Sequence, residues 1–348
     1  MSRRLRIAQV APIAGPVTPD HTGSVEQLVW RLTEELVRRG HDVTLFATGD
    51  SRTAARLHAR YPRGYNDDGD LWNWEFHESM HTAAAFERAA EFDVIHSHNY
   101  HFALPFTQVV DTPVVHTYHV LPDDDIARGF ACCPAAHVAA VSHYQRRFFC
   151  GVEDVAVIHH GIDTAAFPFS PRRGDYLLFL GRLIPGKGPV EAIRLARQVG
   201  MRLVLAGPSD DDEDFFRSEV VPLLDGRQAE YVGAVGLAER NSLLAGAAAL
   251  VYPLAAPEPF GLVLIEAMAC GTPVAALEVG AVPEIVEGVT GRCAADLQEL
   301  AAALPAVLEL DRARVRQTAV ARFDCRRMVD DYVALYRRLA HNRRRQAV

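Results

Sequence analysis

Lysine is almost missing from this chain. Of its 36 basic side chains only Lys187 is a lysine, and the rest are arginine. Arginine is a wide planar fork and lysine a compact charge on a flexible stem, so the two do different work. Either position 187 needs the ammonium, or codon drift spared one surface lysine. Cysteine is also sparse. Cys132, Cys133, Cys150, Cys270, Cys293 and Cys325 form no C-x-x-C pair and no other zinc spacing, and read as reduced thiols of a cytosolic protein. No window approaches the roughly 18 apolar residues of a membrane span, and no apolar leader core follows Met1 to Arg6, so the expectation is a cytoplasmic protein without an integral membrane segment. A basic stripe is lacking too. Net charge is −8, which argues against a nucleic-acid partner. The one basic run, Arg343-Arg344-Arg345, reads as a solvated terminus. Neither half carries G-x-G-x-x-G after its first strand, which speaks against a dinucleotide-dependent dehydrogenase. Lys187 is followed by Gly188 and not by a hydroxyl residue, so a P-loop is absent as well.

What is present is alternation. Strand-like runs and helical patterns alternate along all 348 residues, the signature of parallel sheets with crossover helices. The first half gives strands at Arg6 to Val10, Asp42 to Phe46, Val94-Ile95, Pro113 to Thr117, His137 to Val141 and Val155 to Ile158. A Gly/Pro/Thr loop, Ala14 to Ser24, leads into a helix from about Val25 to Arg39. The second half restarts at Tyr176 to Leu180, with a helix over Val190 to Val199 and strands at Leu203 to Ala206, Tyr231-Val232, Ala249 to Tyr252 and Pro273 to Ala275. Pro168, Pro171 and Gly174 give the junction linker chemistry. The expected organisation is residues 1–165, residues 166–325 and a final helix and tail, 326–348.

Two segments carry chemistry. Gly181-Arg182-Leu183-Ile184-Pro185-Gly186-Lys187-Gly188 lies between an apolar strand and a helix, where an α/β protein places a phosphate. Glu258-Pro259-Phe260-Gly261-Leu262-Val263-Leu264-Ile265-Glu266 sets two carboxylates eight apart, one in a Pro-flanked turn and one inside an apolar helix that stops at Gly271. A buried Glu266 is costly unless it bonds a ligand or a partner. Free N–H groups at that helix start suit an anion or a sugar hydroxyl.

Glu258 through Glu266 resembles the E-x7-E signature of family 4 retaining glycosyltransferases. Gly181-Arg182 with Lys187-Gly188 resembles the family's G-R…K-G loop. Val232-Gly233 before Leu243-Leu244, Val279 to Glu284 with Gly288-Val289-Thr290-Gly291, Gly40 to Thr44 and Phe92 to His96 fit the same family. The resemblance implies the GT-B fold: two Rossmann-like doubly wound parallel-sheet domains facing a central cleft, with the C-terminal helix crossing back to the N-terminal domain. It implies a metal-independent hexosyltransferase using a UDP- or GDP-linked donor as substrate and no other cofactor. Arg182 and Lys187 are then expected to hold the donor diphosphate, Glu266 to bond ribose hydroxyls, and Glu258 to contact the donor sugar near the backbone of Phe260, Gly261 and Leu262. His119, in His116-Thr117-Tyr118-His119, matches the family histidine beside the transferred sugar. The first loop departs from the family's Gly-Gly-x-Glu, reading Gly23-Ser24-Val25-Glu26. Ser24 adds a side chain where the backbone approaches the diphosphate or the acceptor, and can donate a hydrogen bond there. A nucleotide-sugar 2-epimerase on the same fold and a non-catalytic nucleotide-sugar-binding protein are the alternatives.

Other features stay open. His96, His98 and His101 lie close together and His77 and His81 are four apart, but no carboxylate or cysteine completes a metal set. Trp72, Trp74 and Phe76 form either a stacking wall for a sugar or a small cluster under a loop. Residues 1–163 hold 14 arginines against 21 carboxylates. This favours a neutral or cationic hydroxyl-bearing acceptor over a phosphate. The chain is expected to be a monomer or homodimer.

Overall fold

The computed structural model describes residues 3–21 and 23–346. Thr22, within the expected first loop, lies outside the described residues, as do the side chains of Arg344 and Arg345. The chain divides into two compact units. One holds the chain up to Gly161 and again from Cys325 onward, and the other is Ile162–Asp324.

The first unit is built on seven parallel strands: β1 (Arg6–Val10), β2 (Asp42–Phe46), β3 (Arg56–His58), β4 (Val94–Ser97), β5 (Val114–His116), β6 (Ala136–Ala140) and β7 (Asp154–Val157). Their order is β3-β2-β1-β4-β5-β6-β7. Central β1 pairs on both sides, with Ile7 opposite Val43 and Val94. Helix α1 (Ser24–Arg38) buries Leu28, Val29, Leu32 and Leu36, as its 3.6-residue spacing requires. Helix α2 (Trp74–Phe86) crosses beside β1 and β2.

The final helix, Cys325–Gln346, completes this unit. It starts one residue before the expected Arg326 and runs past Leu339. Met328, Tyr332, Tyr336 and Leu339 lie on one buried face against Leu5, Ile7, Leu28 and Leu32. Each such fully buried chain contributes about 1.5–3 kcal/mol. The return is fastened where the chain leaves the unit. Gly161 N–H donates to the Met328 sulfur at 3.1 Å, and Arg327 donates to His159 O at 2.6 Å.

Residues 162–165 go with the second unit. Ile162 N–H donates to Phe323 O at 2.9 Å, and Thr164 Oγ1 donates to Asp324 at 2.5 Å. This unit has six parallel strands: β8 (Tyr176–Leu180), β9 (Arg202–Ala206), β10 (Ala229–Tyr231), β11 (Ala249–Tyr252), β12 (Val274–Leu277) and β13 (Gly291–Ala294), ordered β10-β9-β8-β11-β12-β13. Leu177, Phe179, Ile193, Leu203, Val251 and Leu304 pack its core. Buried Arg312 makes four hydrogen bonds: it donates to the carbonyls of Ser170, Ala245 and Ala247 and to Thr272 Oγ1 at 2.7–2.9 Å. Among the described residues no helix is long and apolar enough to cross a membrane.

Candidate active site

Each sheet reverses its strand order once, between β1 and β4 in the first unit and between β8 and β11 in the second. A crevice opens outside the carboxyl ends of the strands at such a switch point, and ligands of open α/β sheets bind there. In the second unit the loops that leave β8 and β11 are the two segments singled out in the sequence.

After β8 the chain passes Arg182, makes a short turn at Pro185–Lys187 and enters the helix Pro189–Val199. Gly188 takes φ +75°, and a Cβ there would lie 2.0 Å from Pro253 O. Glycine is required at that point. It lets the post-β8 loop lie against the post-β11 loop, where the N–H groups of Ala255 and Ala256 both donate to Gly186 O at 3.1 Å. This docking brings Lys187 Nζ into an ion pair with the Glu258 carboxylate. Tyr252, the last residue of β11, donates its hydroxyl to the same carboxylate. Lys187 is therefore no surface lysine, with its side chain only 21% exposed. Burial and the neighbouring Arg182 guanidinium push the Lys187 ammonium down, to about 8, and the Glu258 charge opposes that shift.

The post-β11 loop ends at Gly261, with φ +94°, and the helix Leu262–Ala269 begins there without a side-chain cap. Its first-turn N–H groups are thus uncapped by side chains. Phe260 is 2% exposed and packs edge-on against Phe323 at 6.1 Å, which anchors the turn. Glu266, further along the helix, is buried and meets Arg240 at 3.4 Å. The partner that a buried Glu266 called for is thus protein. Arg182 is half exposed and pairs with Asp211 at 3.5 Å. The structure brings Lys187 and Glu258 together, sets Gly261 and Leu262 next in the same turn, and gives Arg182 and Glu266 their own partners. Tyr252 and Arg240 were missed in the sequence. The signals were there: Tyr252 ends the strand at the switch point, and Arg240 lies between Gly233 and Leu243 of the family pattern.

In the first unit Gly23 caps α1, and its N–H donates to His21 Nδ1 at 2.9 Å. Ser24 is the exposed first residue of that helix and makes no capping bond. His119 follows β5. Its Nε2 lies 3.1 Å from His98 Nδ1, and its ring stacks on His160 at 5.4 Å. Burial pushes the His119 imidazole down to about 4, so it is neutral at pH 7. The histidine groupings do not converge on a metal. His77 bonds the Tyr61 hydroxyl and His81 bonds Ala11 O, each at 3.1 Å. Among the described residues no group of three His, Cys, Asp or Glu side chains is placed to hold an ion. Trp74 packs between Tyr65 and Phe102, with ring centroids at 5.7 and 6.0 Å, whereas Trp72 is 82% exposed. The three aromatic residues therefore form no single cluster under the loop. Glu78, not singled out from the sequence, is fully buried. It accepts from Ile13 N–H at 2.9 Å and from the Asn99 amide at 2.8 Å, and burial raises its carboxyl to about 8.

Comparison with known proteins agrees with this architecture. Residues 25–166 match the model described as Glycosyltransferase Family 4, and residues 174–309 the one described as glycosyl transferases group 1. A glycogen synthase of Mycobacterium tuberculosis is 29% identical, over 89% of this chain and 87% of its own. A phosphatidyl-myo-inositol mannosyltransferase of Mycolicibacterium smegmatis is 28% identical, over 91% and 88%. The crystal structure of AviGT4, a glycosyltransferase involved in avilamycin A biosynthesis, matches with a TM-score of 0.69 at 26% identity, covering 97% of this chain and 98% of that one. With two switch-point sheets, each matched by its own half of the family pattern, the fold is GT-B and the chain belongs to the family 4 glycosyltransferases.

Proposed function

We propose that this glycosyltransferase moves a sugar from a UDP- or GDP-linked donor to a hydroxyl of a small-molecule or glycan acceptor, with retention, forming an α-linkage. The observation that carries the reading is the Lys187–Glu258 pair at the β8/β11 switch point. A diphosphate gives Lys187 a more highly charged partner than one carboxylate. On this reading the ammonium turns to the phosphate, and Glu258, still held by Tyr252, accepts from a hydroxyl of the donor sugar. Arg182 exchanges the exposed Asp211 for the same diphosphate. Glu266, oriented by Arg240, takes the ribose hydroxyls. The uncapped turn at Gly261 and Leu262 adds N–H donors, and the Gly23-Ser24 turn is a further donor contact. His119 presents a neutral ring to the transferred sugar.

Charge develops on the departing nucleotide, and fixed cations there stabilise the transition state. The acceptor oxygen bonds to the anomeric carbon on the face the diphosphate leaves. Its proton passes to the leaving phosphate, so retention needs no protein nucleophile. Lys187 and Arg182 supply the leaving-group charge in this scheme. Transfer is therefore expected to persist in excess chelator, and collapse with recovery on adding manganese would contradict it.

The acidic first half favours a neutral or cationic acceptor. UDP- and GDP-sugars would be incubated with amino-sugar, polyol and lipid-phosphate acceptors, and the product's anomeric coupling read by NMR. An α-linked product on a neutral or cationic acceptor is expected. A β-linked product overturns retention, and a preference for the lipid-phosphate overturns the acceptor assignment.

A further inference from the structure

Beneath His119 a continuous hydrogen-bonded chain runs through the interior of the first unit. His119 Nε2 lies 3.1 Å from His98 Nδ1, and His98 Nε2 lies 2.9 Å from Gln9 Oε1. The other end of the same amide, Gln9 Nε2, donates to Tyr336 Oη at 3.2 Å. Tyr336 Oη lies 2.6 Å from His96 Nδ1, His96 Nε2 lies 2.7 Å from Thr117 Oγ1, and Thr117 Oγ1 lies 3.0 Å from Tyr332 Oη. Gln9, His96, His98, Thr117, Tyr332 and Tyr336 are each at most 2% exposed. They come from β1, from β4 and the loop after it, from the residue after β5, and from the final helix.

A neutral imidazole has one donor nitrogen and one acceptor. Gln9 spends its amide N–H on Tyr336 and so presents its carbonyl to His98. His98 must then carry its proton on Nε2 and offer a bare Nδ1. His119 answers with a proton on Nε2, and its own Nδ1 is left bare. That Nδ1 has no hydrogen-bond partner among the described residues. We propose that Gln9 and His98 are positioning residues that fix the Nε2–H tautomer of His119, so that its free ring nitrogen accepts a hydrogen bond from a substrate hydroxyl.

The substrate clause rests on the assignment of His119 to the transferred sugar, while the tautomer stands apart from it. The groups around His119 suit a neutral relay. His98, His96 and His160 are titratable neighbours of its ring, burial pushes all three down, and no carboxylate among the described residues is hydrogen-bonded to the His119 ring. In water an isolated histidine exchanges tautomers freely. Here a change at His119 requires His98 to reverse and the Gln9 amide to turn over, which disturbs Tyr336 as well.

The test is the long-range proton–nitrogen NMR spectrum of the full-length protein labelled with nitrogen-15 histidine, with His119 assigned by its absence in His119→Ala. Nε2–H on both His98 and His119 is expected. Gln9→Glu keeps an acceptor toward His98 and should keep the tautomer. Gln9→Leu removes it and should give a mixture at His119, with kcat lowered on the order of tenfold, as when a ring-orienting partner is removed elsewhere. Nδ1–H on His119 in the unmodified protein, or an unchanged tautomer in Gln9→Leu, overturns the proposal. The wild-type spectrum decides between the two polarities even if Gln9→Leu does not fold. Full transfer by His119→Ala would instead remove the sugar assignment of His119, a separate outcome from the tautomer.

Discussion

Lys187 is one ammonium held between a guanidinium that repels it and a carboxylate that attracts it. Replacing it with alanine removes the charge that faces the departing diphosphate, and kcat should fall about 10²–10³-fold. Lys187→Arg should also be impaired, because a planar fork does not fit the space of a compact ammonium beside Glu258. Circular dichroism and melting would show whether the fold survives both changes. Full activity in the arginine variant would make the lone lysine an accident of usage. The ammonium also predicts a pH dependence. Burial and Arg182 lower its pKa to about 8 and the Glu258 carboxylate works against them, so Lys187 is charged at neutral pH and loses its proton on the alkaline side. The kcat/KM should therefore hold on the neutral side and fall above about pH 8. In Lys187→Arg the residual activity should lack that alkaline limb, since arginine stays protonated.

At the scale of elements, the site depends on two loops lying in contact. Gly188→Ala tests this. The new Cβ meets the Pro253 carbonyl at 2.0 Å, and φ +75° costs a further ~1–2 kcal/mol for a residue with a side chain. A lower melting temperature and loss of transfer are expected together, whereas wild-type transfer would show that the loops need not touch. The sequence made these loops legible, because a glycine-rich turn between an apolar strand and a helix has few other uses. Central strands such as β1 and β8 were equally legible from their apolar runs. The edge strand β3 was not: Arg56 and Leu57 are exposed, so no alternation marks it. The helix Arg312–Phe323 was also hidden, since its key contact is a buried arginine bonded to carbonyls, which a polar residue does not advertise. Roles that depend on pairing across the fold were the least legible. Arg240 with Glu266, on two helices, and Gln9 with His98, on and beside neighbouring strands, lie 26 and 89 positions apart and become partners only when the chain folds.

For the whole molecule, the final helix closes the first unit's core and supplies both tyrosines of the buried chain. Met328→Ala should cost about 2–5 kcal/mol, read as a lower denaturation midpoint, because Met328 is fully buried and its sulfur accepts from Gly161. A shift no larger than that of an exposed control such as Val320→Ala would mean that the helix only rests on the unit. Function returns to the second unit and to its one lysine. Isothermal titration of UDP, GDP, UMP and GMP into the wild-type protein and Lys187→Ala tests its role most directly. One diphosphate should bind the wild type and lose about tenfold to a hundredfold in affinity in the variant, the worth of a charge-assisted hydrogen bond. The matching monophosphate should bind both proteins alike. Equal diphosphate affinity in the two proteins, or no diphosphate binding at all, would contradict Lys187 as the cation that holds the donor.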